Sequence, residues 1–290
     1  IVDRFRADCK DERPNVDKDQ ADMSMLLHIE PNINPHSVKE TATILIDMSG
    51  APVSQRGYRD TNFSAPLKEN LAAGIVLLSG YTGKETFLDP MCGSGTIIIE
   101  SLLIKGNIPP SYLAVHEMLE HPEETYWDFM RHNWFTKDKY LVEAWKKLLG
   151  TYLEKARDGF ENLEKSKVKT FASDVEKYAV NAARFNLKAA DLLEFVDLSL
   201  EDATKVSLPN IDSGIIVTNP PYGERIGEEE ELPKLYYEFG ENLKNNFKGF
   251  KAYVFTGTLP LIKKISLRTS KKFILYNGAI EARLVEYDLF

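Results

Sequence analysis

Two cysteines, Cys9 and Cys92, are all that this 290-residue chain contains, and neither lies in a paired Cys or His spacing. That excludes a zinc knuckle and leaves no basis for a disulfide framework, so no metal site is expected. Long apolar runs are missing too: Ile97–Ile99 and Leu102–Ile104 are parted by Glu100 and Ser101 and closed by Lys105. A membrane-spanning helix needs about 20 consecutive apolar residues, and nothing here approaches that. No basic start followed by an apolar stretch and a small-residue cleavage site is present either. The chain starts at Ile1 and not at a methionine, so it reads as an excerpt of a longer protein, soluble and cytoplasmic. Positive charge is also in short supply. The formal net charge of −8 weighs against a nucleic-acid partner, because phosphate binding is mainly electrostatic. The charge is unevenly spread, however. Lys244, Lys248, Lys251, Lys263, Lys264, Arg268, Lys271 and Lys272 follow one another with no acid between them, just after the acidic run Glu228–Glu231. A solvated basic face and an RNA-facing patch account for this run equally well.

What is present suffices for one large domain and a small one, with 43% hydrophobic residues. Residues 1–50 read as a separate unit. Ile1, Val2, Phe5 and Cys9 fall on one helical face, and two alternating strands follow, Met23, Met25, Leu27, Ile29 and then Ala42, Ile44, Ile46, Met48. A polar loop, Pro31–Pro35, joins them. One helix and two strands are too little to fold alone, so this piece is expected to belong to a module that begins upstream.

Residues 51–290 read as the large domain, in which strands and helices alternate from about residue 64. Ser64 can cap a helix with Pro66 in its first turn, running through Leu67, Leu71, Ile75 and Leu78. A strand at Thr86–Leu88, a glycine turn and a helix over about 96–104 come next, then a strand at Lys169–Ala172, a helix at Glu176–Ala189 and a strand at Phe195–Leu198. Gly214–Thr218 reads as a strand buried on both faces and Leu232–Phe247 as a helix. Ala252–Thr256 and Glu281–Tyr287 read as the last strands, with Asn277-Gly278 as a turn signal. Such alternation predicts an α/β fold with a largely parallel sheet covered by helices, and the close-set final strands predict an antiparallel addition at one edge. Residues 107–168 break the alternation. They are charged and aromatic, with Trp127, Trp134, Phe135 and Trp145, and are expected to form a helical insertion whose rings are its anchoring core.

Asp89-Pro90-Met91-Cys92-Gly93-Ser94-Gly95-Thr96 follows a strand and opens a helix. Two glycines there let the backbone turn tightly and approach a ligand. A dinucleotide fingerprint wants a third glycine where Ile98 stands, and a phosphate loop wants a lysine after Gly95; neither is present. A zwitterionic cofactor fits better. Asp89 would face the cationic amino group of a methionine moiety, while the helix N-terminus favours its carboxylate. Cys92 is then a small packing residue. A nucleoside also needs an acid at the end of the second strand to accept from ribose hydroxyls. Glu117 fits by spacing; Asp174, followed by Val175 and a clear helix, fits by context and is preferred. Asp202, with Ala203, would lie near the adenine amino group at the end of the third strand.

The second motif, Asn219-Pro220-Pro221-Tyr222, follows the buried strand. Two prolines hold the chain extended and remove two N–H donors, leaving a row of acceptors: the Asn219 side-chain oxygen and the Pro220 carbonyl. An aromatic amine is a poor nucleophile, since its lone pair is delocalised into the ring. Two acceptors gripping its two hydrogens can pyramidalise the nitrogen and aim the lone pair at a sulfonium methyl. Tyr222 offers a stacking face, and a base within a helix would first have to swing out.

These two motifs together resemble the bacterial RNA guanine-N2 methyltransferases that carry an N-terminal THUMP domain. Further points of likeness are Gln55-Arg-Gly-Tyr-Arg59, Ala65-Pro-Leu-Lys-Glu69, the Gly-Glu-Arg-Ile-Gly227 that continues the second motif, and Tyr276-Asn-Gly-Ala279. The resemblance implies a Rossmann-like methyltransferase fold with a seven-stranded sheet, S-adenosylmethionine as cofactor, and a guanine N2 in 23S-type ribosomal RNA, free or in an assembling large subunit, as target. Residues 1–50 are then similar to the second half of a THUMP module, a small RNA-binding unit. Asn219 and Pro220 inherit the amine-gripping role, Tyr222 the stacking role, and Asp89, Gly93, Gly95 and Asp174 cofactor contacts. Two other readings compete: an adenine-N6 DNA methylase, which shares Asn-Pro-Pro-Tyr, and a non-catalytic RNA-binding assembly factor.

Overall fold

A computed structural model describes residues 2–12, 23–30, 41–50, 52–59, 67–121, 127–222 and 231–290. The expected helix start at Ser64 and Pro66, the Pro31–Pro35 loop, Gly223–Gly227 and most of the acidic run lie outside the described residues. In chain order the elements are α1 (Val2–Asp8), β1 (Met25–Glu30), β2 (Thr41–Ile46), α2 (Glu69–Leu78), β3 (Phe87–Asp89), α3 (Thr96–Gly106) and α4 (Tyr112–Glu120). There follow α5 (Asn133–Thr136), α6 (Lys139–Lys165), β4 (Thr170–Asp174), α7 (Lys177–Ala189), β5 (Asp197–Leu200) and β6 (Ile215–Thr218). The last are α8 (Glu231–Asn246), β7 (Lys251–Thr256), α9 (Leu259–Ile262), β8 (Lys271–Asn277) and β9 (Ile280–Asp288). No helix among the described residues is long and apolar enough to cross a membrane.

By its contacts the chain forms two units: Ile1–Val53 with Met118–Leu148, and Ser54–Glu117 with Leu149–Phe290. In the first, β1 and β2 pair antiparallel from Met25 opposite Ile46 to Glu30 opposite Thr41. The Asp47 carboxylate closes the turn beyond β2, accepting from the Ser49 and Gly50 N–H groups at 3.0 Å each. The aromatic residues of the long insertion gather around Phe129, whose ring lies edge-on to Trp145 at 5.0 Å and to Phe135 at 5.1 Å. Trp127 meets Trp145 edge-on at 5.2 Å. Rings packed edge against face in this way form a small core, because each quadrupole is satisfied by its neighbour.

The second unit is built on one sheet in the order β5-β4-β3-β6-β7-β9-β8. β5, β4, β3, β6 and β7 pair in parallel, and β9 runs antiparallel to both β7 and β8. Alternate side chains of each inner strand enter opposite cores. Phe87, Val217, Phe255 and Leu284 join α2 and α3 residues such as Ile75 and Ile98 on one face. Leu88, Ile216, Val254 and Val285 join α8 residues such as Tyr236 and Phe239 on the other. Burial on both faces explains the unbroken apolar text of β6 and β7. It also leaves the parallel strands to end together, with Asp89, Asp174, Thr218 and Thr256 at one edge of the sheet, where α/β folds place their ligands.

Candidate active site

The turn after β3 is held from three sides. The Cys92 N–H donates to Ser173 O at 2.9 Å, the Gly93 N–H to Asp174 Oδ2 at 2.9 Å, and Asn186 Nδ2 of α7 to Ser94 O at 2.9 Å. Gly93 and Gly95 both have positive φ, 54° and 82°, a region that side chains strongly disfavour. A Cβ at Gly95 would also come 3.2 Å from the Ala183 Cβ of α7. Both glycines are therefore required by the backbone, and Gly95 also by the close approach of α7.

Three carboxylates stand around this turn. Asp89 is fully buried, and burial pushes its carboxyl up to about 7; the Thr218 hydroxyl and the Met91 N–H oppose the rise and the Asp174 charge adds to it. One oxygen accepts from Met91 N–H at 3.2 Å, while Oδ2 has no partner among the described residues. Asp174 ends β4 and accepts from the Glu176 N–H at 3.0 Å as well as from Gly93. Glu117 falls inside α4, so Asp174 is the acid at the end of the strand beside the turn. Asp202 lies just beyond β5. Burial works to raise its carboxyl, but the Thr204 hydroxyl and N–H and the Lys205 ammonium outweigh it and hold it below the usual carboxylate range.

A cavity of about 610 Å³ opens among these groups. All the residues expected at the site line it except Pro90, Gly95, Pro220 and Tyr222. Leu67, Ile97, Ala179, Leu232 and Leu235 complete its apolar wall and were not anticipated. Leu67 owes its place to the Gln55–Arg59 motif: Arg59 donates from Nη2 to Leu67 O at 2.8 Å and pairs with Glu69 at 3.0 Å. Arg56 makes a similarly buried pair with Glu100 of α3, at 3.2 Å. Asn242 of α8 fixes the Asp202 side of the cavity, donating from Nδ2 to Ala203 O at 2.8 Å and Val206 O at 3.0 Å. The two asparagines carry no local sequence signal, since their partners lie tens of residues away, whereas the arginines stood in the Gln55–Arg59 motif without a role assigned to them.

At the end of β6, Asn219 Oδ1 is buried and has no hydrogen-bond partner among the described residues. The Pro221 carbonyl accepts from the buried Tyr236 hydroxyl at 3.3 Å, which anchors the two prolines to α8. Tyr222 stands outside the cavity lining, and its hydroxyl accepts from Asn277 Nδ2 at 3.0 Å. Burial pushes the Cys92 thiol well up, with the Asp89 and Asp174 charges adding, so Cys92 is a packing residue and no nucleophile. No group of His, Cys, Asp and Glu among the described residues could hold a metal ion. What the site offers is a cradle of carboxylates and backbone N–H groups on one side and an unpaired amide oxygen on the other.

A sheet of this order, with a glycine turn after β3 and acids after the two strands beyond it, defines the Rossmann-like fold of S-adenosylmethionine-dependent methyltransferases. The chain belongs to the family of RMKL-like methyltransferase domains, which it matches over residues 56–286. The Ribosomal RNA large subunit methyltransferase K/L of Syntrophotalea carbinolica is 38% identical over 296 residues, covering all of this chain and 38% of that protein. The chain thus spans under two fifths of the length of that relative. Among solved structures, one described as a possible methylase from Clostridium difficile 630 is 29% identical with a TM-score of 0.68, covering 85% of this chain and 59% of that one. SMU.472, described as a candidate methyltransferase and complexed with SAH, is 29% identical with a TM-score of 0.67, covering 86% and 59%.

Proposed function

We propose that this chain transfers a methyl group from S-adenosylmethionine to the exocyclic N2 amine of a guanine in large-subunit ribosomal RNA. The observation that carries this reading is the buried Asn219 oxygen, which has no hydrogen-bond partner among the described residues and lies on the same cavity as the glycine turn and Asp89. The cavity is of the size of small-molecule sites, roughly 300–1,000 Å³. Its groups fit the cofactor named: Asp89 Oδ2, without a hydrogen-bond partner among the described residues, can face a cationic amino group, and the N-terminus of α3 favours a carboxylate. Asp174 and Asp202 both line the cavity, and in this reading Asp174 accepts from the ribose hydroxyls and Asp202 from the adenine amine. When bound, S-adenosylmethionine supplies a methyl already activated by its sulfonium.

The chain's own residues then have to bind and aim. Asn219 Oδ1 and the Pro220 carbonyl accept the two amine hydrogens and turn the nitrogen lone pair out of conjugation. Tyr222 supplies a face for the base, worth about 1–3 kcal/mol. Positioning of this kind accounts for up to about 7–11 kcal/mol of a barrier. The nitrogen becomes acidic once alkylated and loses its proton to water, so no strong base is needed. The name of the Syntrophotalea relative supports large-subunit ribosomal RNA as the acceptor; in this reading the RNA is of the 23S type, the reaction is cytoplasmic, and residues 1–50 act as part of a THUMP-like RNA-binding segment.

Asn219→Ala tests the reading. Losing a contact made mainly in the transition state should lower methyl transfer by about 100-fold or more. Cofactor affinity by titration calorimetry should barely change. Undiminished transfer would contradict the mechanism.

A further inference from the structure

The motif Tyr276-Asn277-Gly278-Ala279, at the turn between β8 and β9, takes no part in the cofactor cavity. It reaches the acceptor side instead. Asn277 donates from Nδ2 to the Tyr222 hydroxyl at 3.0 Å, and its partner across the hairpin is Ile280. Ile280 and the Tyr222 ring converge on Gly257, just past the end of β7. A Cβ at 257 would come 2.9 Å from Tyr222 Cε2 and 3.0 Å from Ile280 Cγ2, so a side chain there would push the ring away. The ring is thus held at both ends: its edge lies on bare backbone, and its hydroxyl is taken by the hairpin turn.

The two prolines fix the chain before Tyr222 but leave its side-chain torsions free. Tyr222 and Asn277 are both only half-buried, so water could satisfy either group. The bond between them therefore matters less for the stability of the fold than for the direction of the ring. We propose that Asn277 is a positioning residue for the acceptor, fixing the plane of Tyr222 on which the target base stacks, and that the terminal hairpin is thereby part of the acceptor site. This rests on Tyr222 serving as the stacking face in the function proposed above. Stacking tolerates a tilted ring, whereas transfer does not: a displacement of about 1 Å can cost on the order of 100-fold in rate.

The test is a double-mutant cycle in the full chain, with large-subunit RNA as acceptor. Asn277→Ala should lower kcat about threefold to tenfold, as for loss of one hydrogen bond. Acceptor KM and cofactor Kd should stay within about twofold of wild type, since stacking and the cofactor cavity are untouched. Tyr222→Phe keeps the ring and removes only the hydroxyl, so it should lose the same factor, and the double variant no more than either single one. Gly257→Ala should lower kcat from the other side of the ring. Additive losses, or a loss in KM or Kd with kcat intact, overturn the assignment. Ring order is read without turnover from tyrosine ring ¹³C NMR, with the Tyr222 signal identified by its loss in Tyr222→Phe. That signal should change in Asn277→Ala, and an unchanged signal overturns the proposal. If wild type transfers no methyl to any RNA, the functional reading fails on its own, and the ring signal still decides whether Asn277 positions Tyr222.

Discussion

Asp89 concentrates the physical tension of the site in one side chain. Its carboxyl is raised from an ordinary value of 3.8 to about 7 by complete burial. Between those values the folded protein holds a proton that the unfolded chain has lost. Asp89's own contribution to the stability of the ligand-free protein is therefore fully present at the acid end, falls as pH rises across this window, and levels off above about 7. Cofactor binding should run the other way. A cationic amino group favours the ionised carboxylate, so binding below this pH must expel a proton, and affinity should weaken as pH falls. Asp89→Asn should flatten both profiles and weaken cofactor binding throughout; calorimetry and thermal melts over pH 4.5–8, about the span of these equilibria, check it. An unaltered pH slope in the variant would rule Asp89 out as the titrating group. At this scale the sequence was readable where residues form contiguous motifs. Asp89, Asp174 and Asn219 stood at strand tips and could be found there. Asn186 and Asn242 could not, because a buried amide that serves a loop tens of residues away leaves no local pattern, and Asn277 showed as a turn signal with nothing to tie it to Tyr222.

The elements show the same division between local and distant causes. The inner strands and the helices after them were legible within a few residues, since burial on both faces writes an apolar run and each helix writes a stripe. β8 was not read as a strand at all. It opens with Lys271-Lys272, and its edge position leaves Ile274 and Tyr276 exposed, so the segment read as part of a basic run. α8 shows how an element can serve the site from behind. Asn242 spends both amide hydrogens on Ala203 O and Val206 O, and its own oxygen accepts from Asn246 at 2.6 Å. Asn242→Ala leaves those carbonyls buried without donors, which should cost about 1–3 kcal/mol. The expected readouts are a melting temperature lower by several degrees and weaker cofactor binding through the Asp202–Val206 loop. A stable variant with normal affinity would show that the loop holds its shape unaided.

At the scale of the whole molecule, the uneven charge is partly resolved by sheet register. Lys251 and Lys271, far apart in sequence, meet across β9 and pair with Glu286 at 3.6 and 3.8 Å, and Lys251 also reaches Asp288 at 3.5 Å. Lys244 pairs with Glu241 at 4.0 Å. Those three cations are engaged with acids of the same unit, so the basic run is in part a solvated, internally paired face and a weaker argument for RNA than its linear text implied. The proposal of an RNA acceptor rests instead on the name of the Syntrophotalea relative, because the chemistry of Asn219 to Tyr222 suits any exocyclic amine. The most direct measurement is transfer of labelled methyl from S-adenosylmethionine to unmodified large-subunit ribosomal RNA, small-subunit ribosomal RNA, transfer RNA and duplex DNA, followed by nucleoside analysis. The account predicts N2-methylguanosine with large-subunit RNA alone; N6-methyladenine in DNA, or no transfer to any acceptor by a protein that binds the cofactor, would contradict it.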